Sequence, residues 1–263
     1  MRVLANRGLR VFSWVALAAV LAGCASDARP KKAMLSGSAD RELIKPGMVG
    51  GKAAADRRRA FFDFWNEEIV RENVAVGTVF MGDSITELWE LNAYFVPSDG
   101  IIVNRGIGGD LASVMAKRFA ADVVQLRPRN VVILAGTNDV SRMKEQGVSD
   151  EEVIRSVVDS LTAMVSAARA AGIRAMVCSV LPTNPDCKED AYKKACVPRI
   201  NALVKKMCEE KGCIYVDYAA RLTDANGDLP RAVARDGLHP HHAGYRVMRD
   251  VLIETANRNG LGL

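Results

Sequence analysis

The chain has 263 residues, of which 49% are hydrophobic and 25% are charged, and its formal net charge is +5. Three of the basic residues, Arg2, Arg7 and Arg10, lie in the first ten positions, and without them the net charge is +2. No dense run of lysine and arginine remains beyond them, which argues against a nucleic acid as the partner.

Residues 1–23 have the pattern of an export signal, because a basic head precedes an apolar run that ends in small residues. The run is shorter than a membrane-spanning helix requires. It ends in Leu21-Ala22-Gly23-Cys24, which resembles the lipobox of bacterial lipoproteins. The resemblance implies that Cys24 is lipidated and becomes the new N-terminus. The alternative is a plain signal peptide followed by an incidental cysteine.

We therefore expect an exported protein, anchored by an N-terminal lipid to the cell envelope, in the periplasm or outside the cell. Ala25 is not the aspartate that retains lipoproteins at the inner membrane of Gram-negative cells, which favours the outer membrane where the host has one. Residues 24–56 are rich in Gly, Ala, Ser, Lys and Pro, and predict a flexible tether. Residues 57–263 remain for one domain with a single core.

The periodicity of this domain alternates between short apolar runs and longer amphipathic stretches. The apolar runs are continuous and β-branched, as is typical of strands buried on both faces. They cover residues 74–82, 100–104, 130–136, 174–182 and 213–217. Helical patterns lie before, between and after them, at residues 57–70, 154–165 and 248–255. The order predicts an α/β fold: a three-layer α/β/α sandwich around a flavodoxin-like parallel sheet of about five strands.

Ligands of such sheets bind at the carboxyl ends of the strands, and polar or glycine-rich segments follow the first three strands here. Ser84 comes directly after the first strand, where its hydroxyl and backbone N–H are expected to face outward. A glycine-rich loop with Gly108 and Gly109 follows the second strand, and Asn138 follows the third. Each segment alone has a structural alternative: an N-cap for Ser84, a turn for the glycines, and a helix start for Asn138.

All three histidines of the chain fall between Arg235 and Tyr245. Asp236 precedes His239 by three residues, a spacing that lets the carboxylate reach the nearer imidazole nitrogen and leaves the other nitrogen free. We therefore predict that His239 is the catalytic histidine. His241 and His242 fall on the first turn of the last helix and are expected to be surface or supporting residues.

Four blocks of the sequence, in this order, resemble those of the SGNH hydrolases, also called GDSL-type esterases and lipases. The blocks are Gly82-Asp83-Ser84, Gly108-Gly109-Asp110, Gly136-Thr137-Asn138-Asp139 and Asp236 to His239. The resemblance extends from about residue 74 to the C-terminus, with Ile85 where leucine is commonest. It implies a hydrolase with Ser84 as nucleophile, His239 as base and Asp236 as its partner. It also implies an oxyanion hole made by the backbone N–H groups of Ser84 and Gly109 and the side chain of Asn138.

The resemblance implies ester hydrolysis through an acyl-serine intermediate, without a metal or a cofactor. Aromatic residues make up only 6% of the chain and no long apolar lid is evident, so we expect a short acyl group, such as acetyl, on a carbohydrate-like alcohol. Lipase or thioesterase activity on longer acyl chains is an alternative. Trp89 and Tyr94 follow the serine and are expected either to line a pocket or to pack in the fold. Two other readings are a non-catalytic, glycan-binding lipoprotein and a metal-dependent phosphoesterase using Asp83, Asn138, Asp236 and the histidines.

Five cysteines follow Cys24, and export favours their oxidation. We expect disulfide bridges between Cys187 and Cys196 and between Cys208 and Cys213, although spacing alone does not fix the pairing. Cys178 lies in an apolar run and is expected to be a buried thiol. The absence of a CxxC pair argues against a redox enzyme, and the clustered histidines lack the pattern of a zinc site.

Overall fold

The structure, a computed structural model, describes residues 41–263. At its centre is a sheet of five parallel strands in the order β2-β1-β3-β4-β5. The strands are β1 (Val76–Gly82), β2 (Ile101–Gly106), β3 (Asn130–Leu134), β4 (Arg174–Cys178) and β5 (Ile214–Val216). This strand order is that of flavodoxin-like sheets, and the predicted α/β fold is confirmed.

Helices connect the strands and flank the sheet. They are α1 (Arg59–Arg71), α2 (Ser84–Glu87), α3 (Leu91–Tyr94), α4 (Ala112–Asp122), α5 (Thr137–Glu145), α6 (Asp150–Ala170), α7 (Asp190–Lys211), α8 (Tyr218–Leu222) and α9 (His242–Arg258). The long helix α6 begins with a capping box, in which Ser149 and Glu152 bond to each other's backbone N–H groups. None of the helices among residues 41–263 is both long and apolar enough to cross a membrane.

The core has two halves because successive residues of a strand point to opposite faces of the sheet. In β3, Val131 and Ile133 pack on one side with α1, α4, α6 and α7. Val132 and Leu134 pack on the other side with α9 and the segments after β1 and β5. The continuous apolar composition of the strands therefore has the expected cause, which is burial on both faces.

The part of the predicted tether that the structure describes, residues 41–56, packs against the domain. The side chain of Arg41 donates to the backbone carbonyl of Gln125, and Asp56 accepts the N–H groups of Val49 and Gly50 at 2.7 and 2.9 Å. A short 3₁₀ helix, Ala54–Arg57, buries its alanines in a small apolar cluster beside α1 and the glycine-rich loop. A flexible tether is thus wrong for residues 41–56, because local hydrogen bonds and alanine burial hold them. The predicted signal peptide, Cys24 and the rest of the tether lie outside the described residues.

All five cysteines among residues 41–263 are free thiols, so neither predicted bridge is present. The Cys187 thiol lies before α7 and donates to Glu189 Oε2 at 3.5 Å. Cys196 lies within α7, in the core and beside Asp150, so these two cysteines have separate surroundings. Cys208 and Cys213 are brought together by the turn that ends α7, where each thiol shifts the pKa of the other, but no disulfide joins them.

Candidate active site

Ser84 lies at the carboxyl end of β1, where the chain turns directly from strand into helix. Asp83 caps α2 by accepting the N–H of Ile85 at 2.9 Å, and Ser84 is the first residue of that helix. The turn is tight: a Cβ on Gly82 would lie only 2.1 Å from the hydroxyl of Thr86. The backbone thus presents the Ser84 hydroxyl at the edge of the sheet, as the sequence predicted.

His239 and Asp236 reach Ser84 from the loop before α9. The Ser84 Oγ lies 2.9 Å from His239 Nε2, and His239 Nδ1 lies 2.7 Å from Asp236 Oδ2. Because an ionised carboxylate only accepts hydrogen bonds, Nδ1 carries the proton and Nε2 is free to accept from the serine hydroxyl. The three side chains that the sequence singled out therefore form one continuous chain of hydrogen bonds.

Asp236 is held in its charged form by its own loop. Partial burial opposes ionisation, but hydrogen bonds from the His239 ring and from the backbone N–H groups of His239 and Leu238 outweigh it. Together they lower the pKa of Asp236 to about 2. A carboxylate that stays ionised fixes the tautomer of His239 and can stabilise an imidazolium.

The loop of Asp236 is clamped by the segment that follows β4. Gly237 has φ of 77°, and a Cβ there would lie 2.5 Å from both Asn184 Oδ1 and the backbone nitrogen of Cys187. Only glycine satisfies both conditions. Asn184 is itself fixed, because its side chain donates to the carbonyl of Leu229 at 2.8 Å.

The glycine-rich loop lies beside Ser84, as predicted, and is tied to two helices. The N–H of Gly108 donates to Glu87 Oε2 at 2.6 Å, and a Cβ on Gly108 would lie 3.7 Å from Ser84 Cβ. From α5, the side-chain amide of Asn138 donates to the carbonyl of Asp110 at 3.0 Å. That contact orients the amide and leaves its second N–H for another acceptor.

The sequence that carries this site matches a known protein family. The model of the GDSL-like Lipase/Acylhydrolase family matches residues 80–247, more than half of the chain. The chain belongs to this family.

Individual relatives of this GDSL-like acylhydrolase agree with the assignment. An acetylxylan esterase of Geobacillus stearothermophilus is 29% identical over 203 residues, which cover 65% of this chain and 89% of the relative. The crystal structure of a GDSL-like lipase from Bacteroides thetaiotaomicron VPI-5482 is 25% identical with a TM-score of 0.60, covering 76% of this chain and 98% of that one. The protein is a hydrolase of the esterase class, as its motifs predicted.

Beneath the site lies a buried ionic network that the sequence did not reveal. Arg118 is 1% exposed and binds Asp110 at 2.8 Å and Asp122 at 2.9 Å. It also donates to the carbonyls of Gly82 and Arg105, at the ends of β1 and β2. Burial nevertheless raises the pKa of Asp110 above its ordinary value. Arg118 thus joins the serine turn to the glycine-rich loop. From the sequence alone, the charged residues of α4 would be expected to face solvent.

Two further carboxyl groups near the site are buried and have raised pKa values. Burial raises the pKa of Asp83 to about 7, and that of Asp139 to about 6. Asp139 accepts the N–H of Ala112 with both oxygens at 3.1 Å. Each of these carboxyl groups accepts backbone N–H groups and thereby supports the local fold.

The remaining aromatic and imidazole side chains form a packed wall next to the site. Trp89 is buried and stacks on Tyr245 with ring centroids 5.3 Å apart, and it also borders a cavity together with Asn92 and Asn104. Tyr94 bonds to His242 Nδ1 at 2.9 Å, and His241 caps α9 through Ala243. The His241 and His242 rings thus bond to neighbouring groups of the fold, and His241 lies one position before α9 instead of on its first turn. Within residues 41–263, no three His, Cys, Asp or Glu side chains are grouped so that they could hold a metal ion.

Proposed function

We propose that this protein is a serine esterase that removes short acyl groups, such as acetyl, from carbohydrate-like alcohols. The observation that carries the proposal is the chain of hydrogen bonds from Ser84 through His239 to Asp236, at 2.9 and 2.7 Å. A serine hydroxyl becomes an effective nucleophile only when a base takes its proton during attack. Here the base is in contact with the hydroxyl and is itself oriented by a carboxylate.

In the proposed reaction, Ser84 Oγ attacks the ester carbonyl while its proton moves to His239 Nε2. The carbonyl oxygen becomes negative and accepts from the backbone N–H groups of Ser84 and Gly109 and from the amide of Asn138. The imidazolium then returns the proton to the departing alcohol, which leaves an acyl-serine. Water, deprotonated by the same imidazole, attacks this ester, releases the acid and restores the serine hydroxyl.

The substrate class is supported by the surroundings of the site and by the relative. The side chains of His239 and Asp236 are 31% and 57% exposed, so a bulky polar alcohol has access to the serine. The relative from Geobacillus stearothermophilus is an acetylxylan esterase. Lipase or thioesterase activity on longer acyl chains is the competing substrate class.

The first experiment compares wild type with Ser84→Ala in hydrolysis of 4-nitrophenyl acetate. We expect Ser84→Ala to lose turnover while its circular dichroism and unfolding curve stay those of the wild type. Ser166→Ala, on the exposed face of α6, is the matched control and should keep full activity. A fluorophosphonate should label the wild type once, at Ser84. Turnover by Ser84→Ala, or labelling at another serine, would refute the proposal, and a wild type that shows neither turnover nor labelling would favour a non-catalytic, glycan-binding role.

A second experiment defines the substrate. We expect kcat/KM to fall steadily from acetate to octanoate esters, and acetylated xylooligosaccharides to release acetate. A rise in kcat/KM with acyl length would contradict the acetyl preference and favour a lipase or thioesterase.

We also propose that the protein is exported and anchored to the envelope by a lipid on Cys24. The support is the sequence alone: the basic head, the apolar run and Leu21-Ala22-Gly23-Cys24. Cells that express the full chain should incorporate labelled palmitate into it, and Cys24→Ser should abolish the label and release the protein from membranes. Incorporation into Cys24→Ser would refute the assignment.

A further inference from the structure

Arginine side chains from two separate segments converge on the glycine-rich loop beside Ser84. Arg57, the last residue of the 3₁₀ helix Ala54–Arg57, donates to the carbonyl of Gly108 at 3.1 Å. Arg142 reaches the same loop from α5, and its Nη2 lies 2.6 Å from the position that a Cβ on Gly109 would occupy. Both side chains are exposed. The two guanidinium groups therefore lie next to the loop that borders the serine.

The acidic groups around this loop are already engaged. Glu87 binds the N–H of Gly108 and lies 3.7 Å from Arg58, a third arginine on the same side. Asp56 accepts two backbone N–H groups of the preceding segment. Arg142 forms no ion pair with any of the residues that the structure describes, although its charge partly opposes the burial that raises the pKa of Asp139. The surface beside the loop therefore carries an excess of positive charge.

The position of Arg142 on α5 connects this charge to the reacting ester. Arg142 follows Asn138 by four residues, so the two side chains lie on the same face of the helix. One binds the carbonyl of Asp110 and the other touches Gly109, so both border the loop to which the proposed oxyanion donors belong. A substrate whose carbonyl occupies the proposed oxyanion hole brings its neighbouring groups within reach of the guanidinium. Guanidinium groups bind carboxylates in a planar, two-point geometry.

We propose that Arg142 and Arg57 select ester substrates that carry a carboxylate close to the scissile ester. This inference rests on the proposed esterase function and specifies its substrate class. The carboxylate belongs either to the acyl group, as in a dicarboxylic half-ester, or to the alcohol, as in an acetylated uronic acid. Arg142 and Arg57 act here as specificity-determining residues.

The test compares matched pairs of charged and neutral esters. For the acyl side, the pair is mono-4-nitrophenyl glutarate and 4-nitrophenyl pentanoate. For the alcohol side, the pair is the 2-O-acetyl esters of methyl glucuronoside and methyl glucoside. In wild type we expect kcat/KM for the charged member of one pair to exceed that of the neutral member by about tenfold, since hydrogen bonds to charged groups give effects of that order. The preference should shrink as salt is raised, because both guanidinium groups are exposed to screening.

The variants are Arg142→Gln and Arg57→Gln, with Arg155→Gln on the exposed face of α6 as the matched control. We expect Arg142→Gln to reduce the charged-to-neutral ratio towards one, mainly through KM, and Arg142→Lys to restore part of it. Arg155→Gln should keep the wild-type ratio. Unfolding curves of all variants show whether any loss comes from folding.

Two negative results are distinguishable. If wild type hydrolyses the neutral esters but shows no preference in either pair, the inference is refuted and the esterase proposal stands. A preference that survives Arg142→Gln and Arg57→Gln together would also refute it. If wild type hydrolyses none of the four esters or 4-nitrophenyl acetate, the esterase proposal itself fails, and the inference fails with it.

Discussion

Replacement of Arg118 by methionine should cost this protein a large part of its stability. Methionine keeps an unbranched side chain but removes the charge and four hydrogen bonds: to Asp110, to Asp122 and to the carbonyls of Gly82 and Arg105. Asp110 and Asp122 are 1% and 0% exposed, so water cannot replace the lost partner. Removing one member of a buried ion pair typically costs about 3–5 kcal/mol. For a domain of this size, that corresponds to a fall in Tm of roughly 6–20 °C.

The same change should make stability more dependent on pH. Without the guanidinium, the pKa of Asp110, which burial already raises in the folded wild type, rises further, whereas Asp122 keeps its bonds to Arg59. The folded variant then binds more protons than the unfolded chain, so its stability falls as pH rises. The deficit of Arg118→Met relative to wild type should therefore grow between about pH 4 and pH 7.

Urea unfolding, followed by tryptophan fluorescence at several pH values, measures this deficit directly. Arg155→Met is the control, because Arg155 is exposed on α6, and it should change stability by less than about 0.5 kcal/mol. A loss below about 1 kcal/mol in Arg118→Met, or a loss that does not change with pH, would refute the view that Arg118 compensates two buried carboxylates.

Three further changes test the surroundings of the serine. Asp236→Asn should lower kcat on 4-nitrophenyl acetate by about 10⁴-fold throughout pH 5–8, because the pKa of Asp236 is about 2 and its carboxylate is ionised across that range; near-normal turnover would contradict this role. Asp83→Asn keeps an oxygen for the N–H of Ile85 but cannot ionise, and burial raises the pKa of Asp83 to about 7. Ionisation of Asp83 therefore lowers the stability of wild type as pH rises from about 4 to 7. In urea unfolding, the stability of Asp83→Asn relative to wild type should increase by at most about 3 kcal/mol between pH 5 and pH 8. A stability difference that stays constant with pH would contradict the raised pKa of Asp83. Gly237→Ala should displace the loop that carries His239 and lower kcat on the order of 100-fold, with unchanged kinetics as the contrary result.

The strands and the residues after them were predictable because both depend on local sequence. A continuous β-branched run predicts a strand buried on both faces, and all residues of β3 are buried in this way. Ser84 and Asn138 could be located because each directly follows such a strand. The three-residue spacing between Asp236 and His239 specified their contact without knowledge of the rest of the fold.

The ionic network and the packing of residues 41–56 were not predictable, because both depend on tertiary contacts. Arg118 and Asp122 lie four residues apart on α4, a pattern that usually indicates an exposed helix face. The ends of β1 and β2, together with Arg59 on α1, give these charges their buried partners. Similarly, Ala54 and Ala55 have too little apolar surface to indicate burial from sequence, yet they fit against α1 and the glycine-rich loop.

The order of strands explains why motifs so far apart in the sequence form one site. Because β1 lies between β2 and β3, the chain leaves β1 on one side for β2 and returns across it to β3. The carboxyl ends of these three neighbours lie along one edge, where connections diverge and leave a crevice. Ser84, Gly109 and Asn138 each follow one of these strands. The imidazole of His239 and the carboxylate of Asp236 come from the loop before α9 instead. The close packing of Gly237 against Asn184 fixes the position of that loop, as a proton transfer between Ser84 and His239 requires.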